Sequence, residues 1–184
     1  MKRIFDILIS AILLIPIIPV MLGVAVCILL SDGRPVFFSQ MRVGRGGKNF
    51  KLWKFRSMIV DSEKVGSFST GTNDPRITKI GRFIRRTSID ELPQLFNVIL
   101  GDMSLVGPRP DVPQQRLNYS QEEWDLRVSA KPGITGLAQA TLRSDATPEE
   151  RLALDLDYVR SNGLLIDMNI LLKTAIQVLG KGGN

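Results

Sequence analysis

The sequence contains no histidine and a single cysteine, Cys27. Lack of histidine removes imidazole acid–base chemistry, Ser-His-Asp triads and zinc sites with His ligands. One cysteine allows neither an intrachain disulfide framework nor a thiolate-held metal. Aromatic residues are scarce, at 7%, and are not interleaved with the basic residues as a nucleic-acid stacking surface requires, so no nucleic-acid partner is expected. Acidic residues are outnumbered, 18 against 24 basic ones, giving a formal net charge of +6. Chemistry must therefore rest on carboxylates, lysine, arginine, hydroxyls or an oxygen-held metal. The charge balance suits lipid head groups or phosphorylated small molecules.

Charge is also missing locally. Between Asp6 and Asp32 there is no ionisable side chain apart from Cys27, and Ser10 is the one clearly polar residue before Ser31. Residues 7–30 exceed the ~18 consecutive apolar residues of a membrane-helix candidate. The run is longer than the h-region of a cleavable signal, and the rest of the chain is too small to bury a helix apolar on every side. Pro16 and Pro19 sit mid-run, where each removes a backbone donor. Lys2 and Arg3 precede the run, and Arg34, Arg42, Arg45 and Lys48 follow it. Basic residues favour the cytoplasmic side, and here both flanks carry them. A kinked span stays open; the favoured expectation is a re-entrant helix–break–helix over residues 1–32, entering and leaving by one membrane face, with a cytoplasmic domain over 33–184.

That domain reads as an α-rich α+β unit with amphipathic helices at the membrane interface. Val36–Phe38 and Phe50–Met58 suggest a hairpin around Gly44, Gly46 and Gly47. Asp61–Pro75 reads as a loop. Helices are expected over 78–86, over 89–100 ending at Gly101, from the Thr147-Pro148-Glu149-Glu150 capping box to about Arg160, and over 164–179 stopping at Gly180. Lys131–Gly136 reads as a turn.

The richest stretch is Arg85-Arg86-Thr87-Ser88-Ile89-Asp90-Glu91-Leu92-Pro93. One reading is purely local: Ser88 and Glu91 form a capping box, and acidic residues suit a helix N-terminus. The other is chemical. Carboxylates beside arginines stay ionised and serve as phosphorus nucleophiles or Mg²⁺ ligands. Arg76, Lys79, Arg82, Arg85 and Arg86 cluster before the pair, and Arg109 stands between two prolines that fix its backbone. A membrane-tethered basic module without catalysis and a Mg²⁺-dependent phosphohydrolase also fit these features.

Five motifs occur in order: Lys2-Arg3-Ile4-Phe5-Asp6, Lys54-Phe55-Arg56-Ser57-Met58, Ser88 to Asn97 with its Asp90-Glu91 pair, Gly101 to Pro110, and Lys131 to Gly136. Together they resemble the bacterial sugar transferases, the small monotopic phosphoglycosyl transferases, over Lys2 to about Leu179. The resemblance implies transfer of a sugar 1-phosphate from a UDP-sugar to polyprenyl phosphate, with undecaprenyl phosphate as the expected acceptor, at the bacterial inner membrane. It implies Asp90 as nucleophile, a covalent phosphosugar intermediate, UMP as product, and Glu91 with Asp90 at a Mg²⁺ ion. Arg85, Arg109, Arg56 and Arg143 are then expected to bind substrate phosphate; Gln139 also matches a family position. The family breaks its membrane helix at a serine-proline pair; here Ile18-Pro19 stands instead, with Pro16 added. Leu137 replaces a common tryptophan and Thr141-Leu142 an Asn-Gly, so donor preference does not transfer from relatives.

Overall fold

The structure is a computed structural model that describes residues 1–62, 74–142 and 146–181. Helix α1 spans Lys2–Asp32. The chain stays helical through Pro16 and Pro19, so the expected division into two helical segments is absent from the backbone. Each proline ring holds a φ compatible with the helix, and the lost N–H bonds are spanned by intact neighbours. Its buried residues, Asp6, Ser10, Leu14, Met21 and Ile28, recur every four or seven positions and form one stripe. Leu8, Ile12, Ile15, Ile18, Leu22, Val26 and Leu30 are exposed. Only 17% of the most apolar window of α1 is buried, which decides against a core helix.

Both ends of α1 are tied to the same domain. The Arg3 guanidinium donates to the carbonyls of Val98 and Ile99. The Asp6 carboxylate accepts from the Ser104 hydroxyl at 2.9 Å and the Leu105 N–H at 3.2 Å. Lys2 pairs with Asp167, whose carboxylate also accepts from the Tyr158 hydroxyl. At the far end, Arg56 donates to the carbonyls of Asp32 and Gly33 at 2.6 and 2.9 Å.

Strands β1 (Phe37–Val43) and β2 (Asn49–Phe55) form the expected antiparallel hairpin, pairing Phe37 with Phe55 and Val43 with Asn49. Gly46 and Gly47 take φ of 67° and 74° in the turn, a region that favours glycine. Helix α2 covers Lys79–Arg86 and is capped by Thr78. The single helix expected over 89–100 is instead a 3₁₀ turn, Ile89–Glu91, followed by α3, Gln94–Leu100. Pro93, without an N–H, separates them and begins the second. Gly101, at φ 100°, ends α3 as expected.

Asn97 of α3 joins these pieces. Its side chain accepts from the Trp53 N–H at 3.1 Å and donates to the Lys51 carbonyl at 2.8 Å, occupying the free edge of β2. Its own carbonyl accepts from the N–H groups of Gly101, Asp102 and Met103.

Strand β3 (Ser104–Val106) pairs in parallel with β4 (Gly133–Thr135). Half of the turn expected at Lys131–Gly136 is thus strand. The glycines serve close approach: a Cβ on Gly107 would stand 2.2 Å from the Lys131 carbonyl oxygen, and one on Gly133 2.1 Å from the Gly107 nitrogen. Helix α4 (Gln121–Ser129) carries a Ser120 capping box, and α5 (Leu137–Thr141) follows β4. Helix α6 (Pro148–Ser161) has the expected Thr147 box, and α7 (Leu164–Lys181) continues past the expected stop at Gly180. The core gathers Ile28, Phe55, Ile84, Val98, Met103, Val106, Tyr158 and Ile170.

Asn97→Ala removes the side-chain partner of the part-buried Trp53 N–H and Lys51 carbonyl on β2. Each lost hydrogen bond contributes ~0.5–1.5 kcal/mol, so destabilisation of about 1–3 kcal/mol is expected, read as a lower thermal midpoint.

Candidate active site

The site begins at a strained turn. After α2, the Thr87 hydroxyl donates back to the Phe83 carbonyl at 3.0 Å. Ser88 then adopts φ 55°, a left-handed conformation costly for a residue with a Cβ. The expected Ser88–Glu91 capping box is not formed, because in this conformation Ser88 makes no side-chain cap. Backbone bonds from Glu91 to Ser88 and from Leu92 to Ile89 close the 3₁₀ turn instead. The reversal turns Asp90 inward, leaving it 6% exposed.

Glu91 is clamped. Its Oε1 accepts from Lys54 Nζ of β2 at 2.7 Å and from Arg109 Nη2 at 3.1 Å. Burial alone would raise the Glu91 carboxyl, but the charges and hydrogen bonds of Arg109 and Lys54 outweigh it and hold it at about 2. Lys54 is itself lowered, by burial and then by Arg109, against the opposing pull of Glu91. Asp90 behaves in the opposite way: burial pushes its carboxyl up to about 6, with Lys54 and Arg85 opposing and Glu91 adding. Neither Asp90 oxygen takes a hydrogen bond from any described residue. Arg109, Lys54 and Arg42 line a cavity of ≈ 230 Å³ counted with its open mouth, and Gln94 and Ile134 complete the wall. Three cations and no carboxylate in that wall make its surface positive.

A sequence profile described as bacterial sugar transferase matches residues 1–181. The chain belongs to the bacterial sugar transferase family. It is 43% identical over 188 residues to a UDP-glucose:undecaprenyl-phosphate glucose-1-phosphate transferase of Xanthomonas campestris pv. campestris, covering 98% of this chain and 39% of the relative. An undecaprenyl-phosphate galactose phosphotransferase of Salmonella typhimurium is 43% identical over 198 residues, covering 100% and 41%. A galactosyl transferase CpsE of Streptococcus agalactiae is 46% identical over 165 residues, covering 83% and 36%. The chain thus spans about two fifths of the length of the curated relatives it matches.

Of the residues singled out in this family member's sequence, Asp90, Glu91 and Arg109 meet in the site, and Arg85 lies within electrostatic reach of Asp90. Arg56 does not join them: it is buried and bonded to the C-terminal carbonyls of α1, which it caps. Arg143 lies outside the described residues. Lys79, Arg82 and Arg86 are exposed on α2, while Arg76 pairs with Asp74 at 2.6 Å. Lys54 was given no role from sequence, yet it shares a strand face with Phe50 and Leu52, both buried. A lysine in phase with two core residues is the signal that marked it.

Few carboxylates are available to a Mg²⁺ ion. Among the described residues no three acidic side chains converge. Asp90 and Glu91 Oε2 take no hydrogen bond from the described residues, while Glu91 Oε1 is taken by two cations. Two adjacent carboxylates fit a Mg²⁺ ion that keeps waters and shares substrate phosphates, and not an all-protein cage.

Because the folded carboxyl of Asp90 is raised, the stability from its protonated form is full below about pH 4 and lost as pH rises through about 6. Asp90→Asn should therefore stabilise the protein at pH 7.5, by on the order of 2–3 kcal/mol, with the advantage vanishing below about pH 4. Thermal melts of both forms across that range measure it.

Proposed function

We propose that this protein transfers a sugar 1-phosphate from a UDP-sugar to polyprenyl phosphate, undecaprenyl phosphate being the acceptor named for the relatives. The observation that carries the reading is a buried Asp90 carboxylate that accepts no hydrogen bond from the described residues, beside a Glu91 clamped by Lys54 and Arg109. A carboxylate without donors is a better nucleophile than a solvated one, and at about 6 its pKa still leaves it ionised at neutral pH. In the first step an Asp90 oxygen attacks the β-phosphorus of the UDP-sugar. The bond from that phosphorus to the bridging oxygen breaks, and UMP leaves with the electron pair. In the second step a phosphate oxygen of the lipid attacks the same phosphorus and Asp90 departs as carboxylate. Product is the polyprenyl-diphosphate sugar, and one site serves a soluble donor and a lipid acceptor in turn.

Arg109 and Lys54 hold Glu91 and face the positive cavity, where they offset charge on the diphosphate; Arg85 adds to that field. Asp90 and Glu91 would hold Mg²⁺, which when bound neutralises phosphate charge and orients the donor.

The same reading places α1 as a re-entrant element on the cytoplasmic face of the bacterial inner membrane, bending at Pro16 and Pro19 within one continuous helix. Lys2, Arg3 and Asp6 at one end and Asp32 and Gly33 at the other all bond to one domain. A helix crossing the bilayer leaves only one end on that domain's side. The exposed isoleucines and leucines between face lipid, and basic residues flank both ends.

Incubation with radiolabelled UDP-glucose or UDP-galactose and Mg²⁺, without lipid, should release UMP and leave label on Asp90. Absence of label after a quench that preserves acyl phosphates, with UMP formed only when lipid is present, would reject the two-step path. Reagents confined to the cytoplasmic side should label both ends of α1; an N-terminus reached only from the periplasm would reject the re-entrant placement.

A further inference from the structure

The Arg109 side chain is 48% exposed and, among the described residues, makes one hydrogen bond, to Glu91. A long side chain so exposed is not placed by its own contacts, so its position must come from its backbone. That backbone is held at four successive carbonyls. Pro108 accepts from the Gly133 N–H at 3.0 Å and Asp111 from the Val43 N–H at 2.9 Å. Arg109 accepts from Arg127 Nη2 at 2.8 Å, and Pro110 from Arg42 Nη1 at 2.9 Å. Pro108 and Pro110 fix φ on either side.

Arg127, on α4, is the side chain that touches the peptide of Arg109 itself. Its Nε donates to Asp111 at 2.8 Å and its Nη1 to Asp155 of α6, while the Tyr119 ring lies 5.5 Å from its guanidinium carbon. The side chain is 7% exposed. With each nitrogen bonded to protein and two carboxylates facing it, Arg127 has no charge to offer a substrate.

We propose that Arg127 is a positioning residue for the transfer reaction: it fixes the Arg109 peptide so that the Arg109 guanidinium meets Glu91 and the donor diphosphate. The proposal rests on the reaction proposed above. Lysine cannot substitute, because its single ammonium does not reach three acceptors lying in three directions.

The test uses the full chain with UDP-glucose, UDP-galactose and undecaprenyl phosphate, comparing Arg127→Lys, Arg109→Ala and the double variant by UMP release. Arg127→Lys should lower kcat/KM roughly ten- to hundredfold. The double variant should be no worse than Arg109→Ala, since a residue acting through Arg109 has nothing left to act on. Hydrogen exchange should quicken at Gly107, Val43 and Gly133, which border or hold the loop, and stay unchanged elsewhere. Defects that multiply, or exchange that quickens throughout the domain, overturn the proposal. Should Arg127→Lys not fold, Asp155→Asn loosens Arg127 without touching the loop; its loss of turnover must likewise vanish in the Arg109→Ala background, and persistence there overturns the idea. If the wild type releases no UMP from either sugar, the reaction reading fails by itself, and exchange at Val43 and Gly133 still decides whether Arg127 holds the loop.

Discussion

Glu91 Oε1 lies 2.7 Å from Lys54 Nζ and 3.1 Å from Arg109 Nη2, and neither cation is near it in sequence. Opposite charges at such separations attract by about 5 kcal/mol at an effective dielectric constant of ~20, less the cost of removing them from water. That shared carboxylate ties the hairpin, the turn after α2 and the loop after β3 to one point. Breaking it leaves at least one partly buried charge unpaired. Counting Arg85, three cations surround two carboxylates, so the site carries a positive excess before any phosphate arrives.

Asp90 stands beside this clamp without belonging to it. Its neighbour takes both close cations, and the left-handed Ser88 turns it away from solvent. The fold therefore tolerates two local penalties within three residues, a strained backbone and a carboxylate whose ionised form burial disfavours. Stability alone favours neither. Both fit the nucleophilic role proposed for Asp90.

Much of this was legible from the chain. The apolar run, the hairpin glycines, the Thr147 capping box and the stop at Gly101 each follow from local chemistry, and local chemistry decided them. Asp90, Glu91 and Arg109 stood out because charges flanked by prolines or packed side by side are costly unless used. The rest was set by distant partners. Gly107 and Gly133 look like turn glycines until two backbones are seen to touch there. Ser88 matches a capping box in spacing, but the turn that buries Asp90 overrides it. Arg56 follows Lys54 by two positions, yet only Lys54 reaches the site, because the end of α1 claims Arg56. Gly180 lowers helix propensity without ending α7, since one glycine costs only ~1 kcal/mol in a helix otherwise well formed.

The ion pair between Lys2 and Asp167 joins side chains 165 positions apart. Asp6 likewise depends on Ser104 and Leu105, 98 and 99 positions further on. On a ribosome the start of α1 is therefore made long before the groups that neutralise it. Its two charges lack these partners until β3 and then α7 have been made, so α1 reaches its native seat only as the domain bonded to it folds.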